Sequence, residues 1–346
     1  MTQSINKKDA QADLLLNGES IEDVYKLIKT LSGKRGRDFK NITLDEFRDL
    51  YTTTTKRYSS FAIPKRSGGS RTISAPDPEL KVVQTLLSTC LARLYEPPAA
   101  VHGFIEGKSV VSNAELHLRK PFVLNIDLLD FFHSIDSSRI MVVLQRQPFN
   151  FSERMAFHLT WLCCFKQRLP QGAPTSPVLS NIVCQRLDVL LQEFAVENNL
   201  TYTRYADDLS FSSSDEWKNE WPGQIGAIIA EEGFTVNAKK VRIQNSAQRQ
   251  EVTGLTVNEK TNVSREYIRL IRSMLYNWEK LGYTSAQERF HKTFVKRPAT
   301  YACEEPQLLY VLEGKLNYLK MVCGADDDIF LRYISQYFKL RKRDNM

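Results

Sequence analysis

The sequence predicts an α+β protein in which a sheet-forming middle is followed by an all-helical, basic end piece. Three observations carry this. Short β-prone runs, FVLNIDLL at 122–129 and TYTRYADDLSFS at 201–212, are separated by stretches with helical periodicity. A hairpin signature, SSFAIPKRSGGSRTISA at 59–75, precedes them. From Ser264 the pattern is helical to the end, and residues 261–346 hold 15 Lys and Arg against 10 Asp and Glu.

Residues 10–58 read as helical, and NITLDEFRDLY carries a capping box of Thr43 and Glu46. The 59–75 hairpin turns through the basic, glycine-rich Lys65–Ser70. A helix over PELKVVQTLLSTCLARLY ends before Pro97-Pro98, since the residue ahead of a proline disfavours helix. Phe122–Ile126 is nearly all apolar, as for a strand buried on both faces. SERMAFHLTWLCCF and SPVLSNIVCQRLDVLLQEFAVEN each read as a helix, TYTRYADDLSFS as a hairpin. GFTVNAKKVRI and EVTGLTVN supply further short strands. There is no internal repeat and no low-complexity tract.

With 346 residues, 42% hydrophobic and 25% charged, the chain can bury the core of a soluble protein with two or three subdomains. A net charge of +7, mostly in the last quarter, suits a localised polyanion-binding surface. The six cysteines have no CxxC spacing and read as buried free thiols in a reducing compartment. No signal-peptide core and no run near the ~18 apolar residues of a membrane span is present, so a cytosolic protein with no membrane partner is expected.

Asp207 and Asp208 are adjacent, and in a strand they would point to opposite faces. They address one site only at a tight turn; otherwise they are a solvated Asp-Asp turn. Asp127 ends a buried run, where an uncompensated carboxylate is expensive. No Lys or Arg lies between Lys120 and Arg139, which favours a cation over a local base. Carboxylates without a His/Cys cluster favour Mg2+ over Zn2+. Three acids on two elements can hold two ions about 3.5–4 Å apart, the clamp for displacement at phosphorus.

FVLNIDLLDFF, RLPQGAPTSPVLSN, RYADDLSFS, GFTVNAKKVRI and VTGL, preceded by SGGSRTISAPDPELKVVQ, occur in the order and spacing of a reverse transcriptase, which the chain resembles over about residues 60–256. The resemblance implies a right-hand polymerase fold of fingers, an RRM-like palm with an antiparallel sheet, and a helical thumb. The segments would be a helical N-terminal extension (1–58), fingers with part of the palm (59–120), palm with inserted fingers helices (121–256) and a basic thumb (257–346). It places two Mg2+ ions, with Mn2+ as a substitute, on Asp127, Asp207 and Asp208, with the Leu128 carbonyl as a further ligand.

The same resemblance puts Phe132, five residues after Asp127, where an aromatic ring excludes a ribose 2′-OH; one of Phe131 and Phe132 is alternatively plain core. Gln171 would meet the incoming dNTP and its template base, Arg71 and Lys65 the triphosphate, although Lys65 and Arg66 also suit a solvated hairpin. Lys240 would protonate pyrophosphate, with Lys239 as its rival. Val252, Thr253 and Gly254 fall where the primer grip belongs. Arg265, Arg269 and Arg272 recur at helical spacing beside an apolar stripe, and either contact a duplex backbone or form a solvated face.

SNAELH at 112–117, with Asn113 and His117, together with VTG resembles the signature of bacterial retron reverse transcriptases; alone it reads as a helix capped by Ser112. This implies a cognate structured non-coding RNA as template and RNA partner, its DNA product, priming from a guanosine 2′-OH, and a role in antiphage defence beside a separate effector or toxin protein. The alternative in the same class is a group II intron-like enzyme. An RNA polymerase is disfavoured by Phe132, and a non-catalytic RNA-binding protein would be free to lose the three acids.

Overall fold

The computed structural model describes residues 11, 13–32, 42–64, 68–294 and 306–345. Its chain divides into two compact units. The first comprises Met1–Gly107, Ile126–Leu209 and Lys218–Val241; the second comprises Lys108–Asn125, Ser210–Trp217 and Arg242–Met346.

In the first unit, helices α1 (Ile21–Ser32) and α2 (Leu44–Thr52) precede the hairpin β1 (Tyr58–Pro64) and β2 (Ser70–Pro76). The expected capping box at Thr43 and Glu46 is formed, so two donors at the start of α2 are satisfied reciprocally. The hairpin is antiparallel, from Tyr58 opposite Pro76 to Pro64 opposite Ser70. Lys65 and Arg66, the expected tip, lie outside the described residues. Asp77 caps α3 (Pro78–Leu94), its side chain accepting from the Leu80 N–H, with proline at the first helical position, where its missing donor costs nothing.

The rest of the framework is β3 (Phe122–Asp127), α5 (Phe131–Ser134), α6 (Ser137–Gln145), α7 (Glu153–Cys163), α8 (Ser176–Val183), α9 (Gln185–Glu197), β4 (Leu200–Tyr205), β5 (Asp208–Ser213), α10 (Trp221–Glu231) and β6 (Arg242–Asn245), with α4 (Val110–Glu115) ahead of β3. The four-stranded sheet has the order β4-β5-β3-β6. The single helix expected over 176–198 is interrupted at Cys184, whose N–H bonds back to Ser180 and Ile182 before α9 begins.

In the second unit β3 pairs antiparallel with β6, Phe122 opposite Asn245 and Asn125 opposite Arg242. The short hairpin β7 (Glu251–Val252) and β8 (Leu255–Thr256) follows, then helices α11 (Arg265–Leu281), α12 (Tyr283–Phe294), α13 (Leu308–Cys323) and α14 (Asp328–Arg343). Trp278 and Tyr337 centre this core with Leu312, Leu316 and Leu319, all buried. The indole N–H of Trp278 still finds a partner, donating to Asp344 at 2.8 Å, as a buried indole requires.

Candidate active site

The apolar run of β3 ends at Asp127, which is only 6% exposed. Three backbone bonds fix the strand end. The Leu128 N–H donates to the Asp207 carbonyl at 3.0 Å, the Leu129 N–H to Thr235 at 2.8 Å, and the Asn237 N–H to Asp127 at 2.8 Å. Asp207 lies in the β4–β5 turn, where Ala206 has a left-handed φ of 57°. The distant strand end and the acid turn are therefore stitched together.

The Asp127 carboxylate is held on both oxygens. Asn237 Nδ2 donates to Oδ1 at 2.9 Å and Lys240 Nζ to Oδ2 at 2.5 Å. The spacing in sequence favoured a cation over a local base; the structure supplies a base as well, from 113 positions away. Lys240, not Lys239, makes this contact. Burial pushes the Asp207 carboxyl up, the Asp127 charge pushes it further, and Lys240 and Arg71 oppose them. The neighbouring acids and both cations thus act on one point.

Asp208 opens β5 and is exposed. Among the described residues no three His, Cys, Asp or Glu side chains are gathered as a metal-holding cluster. Of the three acids expected to converge, Asp127 and Asp207 interact directly, the charge of Asp127 acting on the Asp207 carboxyl. Asp207 is the last residue of the turn, whereas Asp208 is the first of β5.

Phe131 is the core member of the aromatic pair, buried and stacked on Phe234 at 5.9 Å between centroids. Phe132 is half-buried, 5.3 Å from Phe131 and 6.4 Å from Phe104. Gln171 sits in a turn whose carbonyl accepts from the Ser74 N–H at 2.9 Å. Gly172 there has φ 133°, and a Cβ on it would come within 2.9 Å of Ile73 and of the Ser74 carbonyl, so only glycine lets this turn lie on β2. Arg71, on the same strand, is exposed. Lys65 lies outside the described residues.

A buried network that was not legible in the local sequence pattern underlies the acid turn. Arg204 and Asp188 are both fully buried, with Arg204 Nε to Asp188 Oδ1 at 2.7 Å and Nη2 to Oδ2 at 2.6 Å. Tyr202 donates to the same carboxylate at 2.8 Å. The remaining Arg204 nitrogen, Nη1, donates to Asn181 Oδ1 at 3.1 Å and to the Ala206 carbonyl at 3.2 Å. The available signal was an arginine inside a β-prone run, which burial forces to be paired.

In the second unit the two halves of the proposed signature meet. Thr253 and Gly254 form the two-residue β7–β8 turn with φ of 48° and 83°, and the Thr253 hydroxyl donates to the Val110 carbonyl at 3.2 Å. A positive φ is unusual for a β-branched residue. Asn113, His117 and Val252, expected as RNA or primer contacts, are fully buried within the unit. His117 Nδ1 is 2.7 Å from Ser212 Oγ, and neither amide atom of Asn113 has a hydrogen-bond partner among the described residues. Gly254 is exposed, and so are Arg265, Arg269 and Arg272, which line one groove with Ile268 and Ile329.

Comparison with known proteins gives the family. The family model for reverse transcriptase (RNA-dependent DNA polymerase) matches residues 63–262. Retron Ec86 reverse transcriptase of Escherichia coli is 36% identical over 241 residues, which cover 68% of this chain and 74% of the relative. Retron Mx65 reverse transcriptase of Myxococcus xanthus is 38% identical over 239 residues, 64% of this chain and 56% of the relative. Retron Ec83 reverse transcriptase of Escherichia coli is 30% identical over 250 residues, with coverages of 67% and 78%. The chain belongs to the reverse transcriptases, RNA-directed DNA polymerases, and within them to the retron enzymes.

Proposed function

We propose that this polymerase copies part of a cognate structured non-coding RNA into single-stranded multicopy DNA, starting from the 2′-OH of a guanosine in that RNA. The reading is supported above all by the stitched pair Asp127 and Asp207, with Lys240 on Asp127 Oδ2 at 2.5 Å. Two neighbouring hard carboxylates, that of Asp207 raised by burial and by the Asp127 charge, fit a divalent cation of the Mg2+ class. Asp127 and Asp207 would hold Mg2+, or Mn2+ in its place, with the Leu128 carbonyl and Asp208 as further oxygens. Bound there, it would supply activation of the attacking hydroxyl and neutralisation of the pyrophosphate leaving group.

The chain's own residues do the rest. Arg71 offers charge-assisted donors to the dNTP triphosphate. Gln171, fixed against β2, faces the nascent base pair, and Phe132 occupies the space a 2′-OH would need. Lys240 supplies the proton that leaves with pyrophosphate, as a general acid. The exposed Arg265, Arg269 and Arg272 bind phosphates of the RNA–DNA duplex, which positions it without reading sequence. The biological setting we infer is antiphage defence, with a separate effector protein restrained or released by the nucleoprotein.

Sequencing the nucleic acid that copurifies with the protein tests the reading. We expect a covalent RNA–DNA species joined at a guanosine 2′ position. Recovery of intron RNA without linked DNA would replace it with the group II intron-like alternative.

A further inference from the structure

Phe104 has two features that are each unfavourable for a large apolar residue. Its side chain is 46% exposed, and its φ of 63° lies in the left-handed region. Such a backbone persists only where its surroundings over-determine it, and these sites cluster where function needs them. Here the surroundings are explicit. The N–H groups of His102 and Gly103 both donate to the Arg204 carbonyl, at 2.8 and 3.4 Å. Asn181 Nδ2 donates to the Gly103 carbonyl at 2.9 Å. Gly103 runs so close to the acid turn that a Cβ on it would come within 2.5 Å of the Ala206 nitrogen.

Residues 102–104 are thus fastened to the strand end that leads into Asp207. The aromatic ring this fastening presents lies 6.4 Å from Phe132 and 6.4 Å from Tyr205 between centroids, tilted at 45° and 44°. Phe131 also lies against Phe132, at 5.3 Å between centroids. Phe132 therefore meets two rings, one from the core and one from a strained, half-exposed position.

We propose that Phe104 is a specificity-positioning residue for the sugar of the incoming nucleotide: it buttresses Phe132 and prevents that ring from yielding to a 2′-OH. The inference rests on the reading of Phe132 as the sugar gate. A gate discriminates only as far as it is rigid, because a ring that can swing aside excludes nothing.

The test is single-nucleotide addition on oligo-primed RNA by the full chain, with dNTP and rNTP compared as kcat/KM. The enzymes are wild type, Phe132→Ala, Phe104→Ala, Phe104→Tyr and the Phe104→Ala/Phe132→Ala double variant, with thermal melting as the control for folding. We expect Phe104→Ala to lower the dNTP preference by about 10-fold or more, mainly through faster rNTP use. Phe104→Tyr keeps a ring and should keep the preference, and the double variant should be no less selective than Phe132→Ala alone. Relaxed selectivity in Phe132→Ala but not in Phe104→Ala overturns the buttress and leaves the gate standing; relaxation in neither overturns the gate itself. A weaker KM for primer with unchanged sugar preference would also overturn it, making Phe104 a primer contact. If Phe104→Ala melts early, a Phe104→Tyr variant with relaxed selectivity would count against the proposal.

Discussion

Lys240 Nζ lies 2.5 Å from Asp127 Oδ2, although 113 positions separate them in the chain. The lysine is half-exposed and the acid nearly buried, 52% against 8% by side chain. The ammonium is therefore the solvent-accessible member of the pair. We expect Lys240→Met to slow nucleotide addition by about 100-fold, in the range of a lost general acid, with Lys239→Met near wild type. Single-turnover extension measures both, and equal losses would remove the distinction between the two lysines.

Asp127→Asn and Asp207→Asn should each abolish primer extension in Mg2+ or Mn2+ while RNA binding persists. Chelation by EDTA should reproduce the loss in the wild type, with activity restored on adding Mg2+. Extension by either variant would end the assignment of the acid pair.

The Arg204–Asp188 pair is fully buried, so breaking one side strands a charge. Asp188→Asn should cost about 3–5 kcal/mol in chemical denaturation. An Arg204→Met/Asp188→Leu double variant should regain much of that stability, since apolar replacements of buried pairs are often tolerated. It should remain slow, because the Ala206 carbonyl has lost its donor beside Asp207. Wild-type turnover in the double variant would show that the turn needs no such anchor.

Binding of an RNA–DNA duplex should lose steepness in salt when the groove arginines are removed. Replacing Arg265, Arg269 and Arg272 by alanine should lower the slope of log K against log salt by roughly 2–3, with affinity falling similarly for unrelated sequences. A loss confined to one sequence would point to base readout instead.

Burial raises the thiols of Cys90 to about 11 and of Cys163 and Cys184 to about 12, from an ordinary value of 9.0. A folded-state pKa above the unfolded one gives stability that is complete below pH 9 and lost as pH rises towards 11–12. Urea midpoints should therefore fall between pH 8 and pH 10.5, and native protein at pH 8 should resist alkylation at these three positions. A midpoint that does not move with pH would contradict the burial of these groups.

The amino-acid sequence by itself determined the local elements and the identity of the reactive groups. The capping box at Thr43, the hairpin ending at Pro76, the strand ending at Asp127 and the acid turn at Asp207 are all written in period and turn chemistry over a few residues. Tertiary structure alone decided the pairings. It brought Lys240 to Asp127, and it separated Phe131 as core from Phe132 as the half-exposed ring. It buried Asn113, His117 and Val252 in the second unit and placed Asp208 at the exposed start of β5. It also supplied Arg204, Asp188 and the strained Phe104 beneath and beside the turn. Periodicity reports which face of an element is apolar; which distant side chain meets that face is set by packing and by the need to compensate every buried charge.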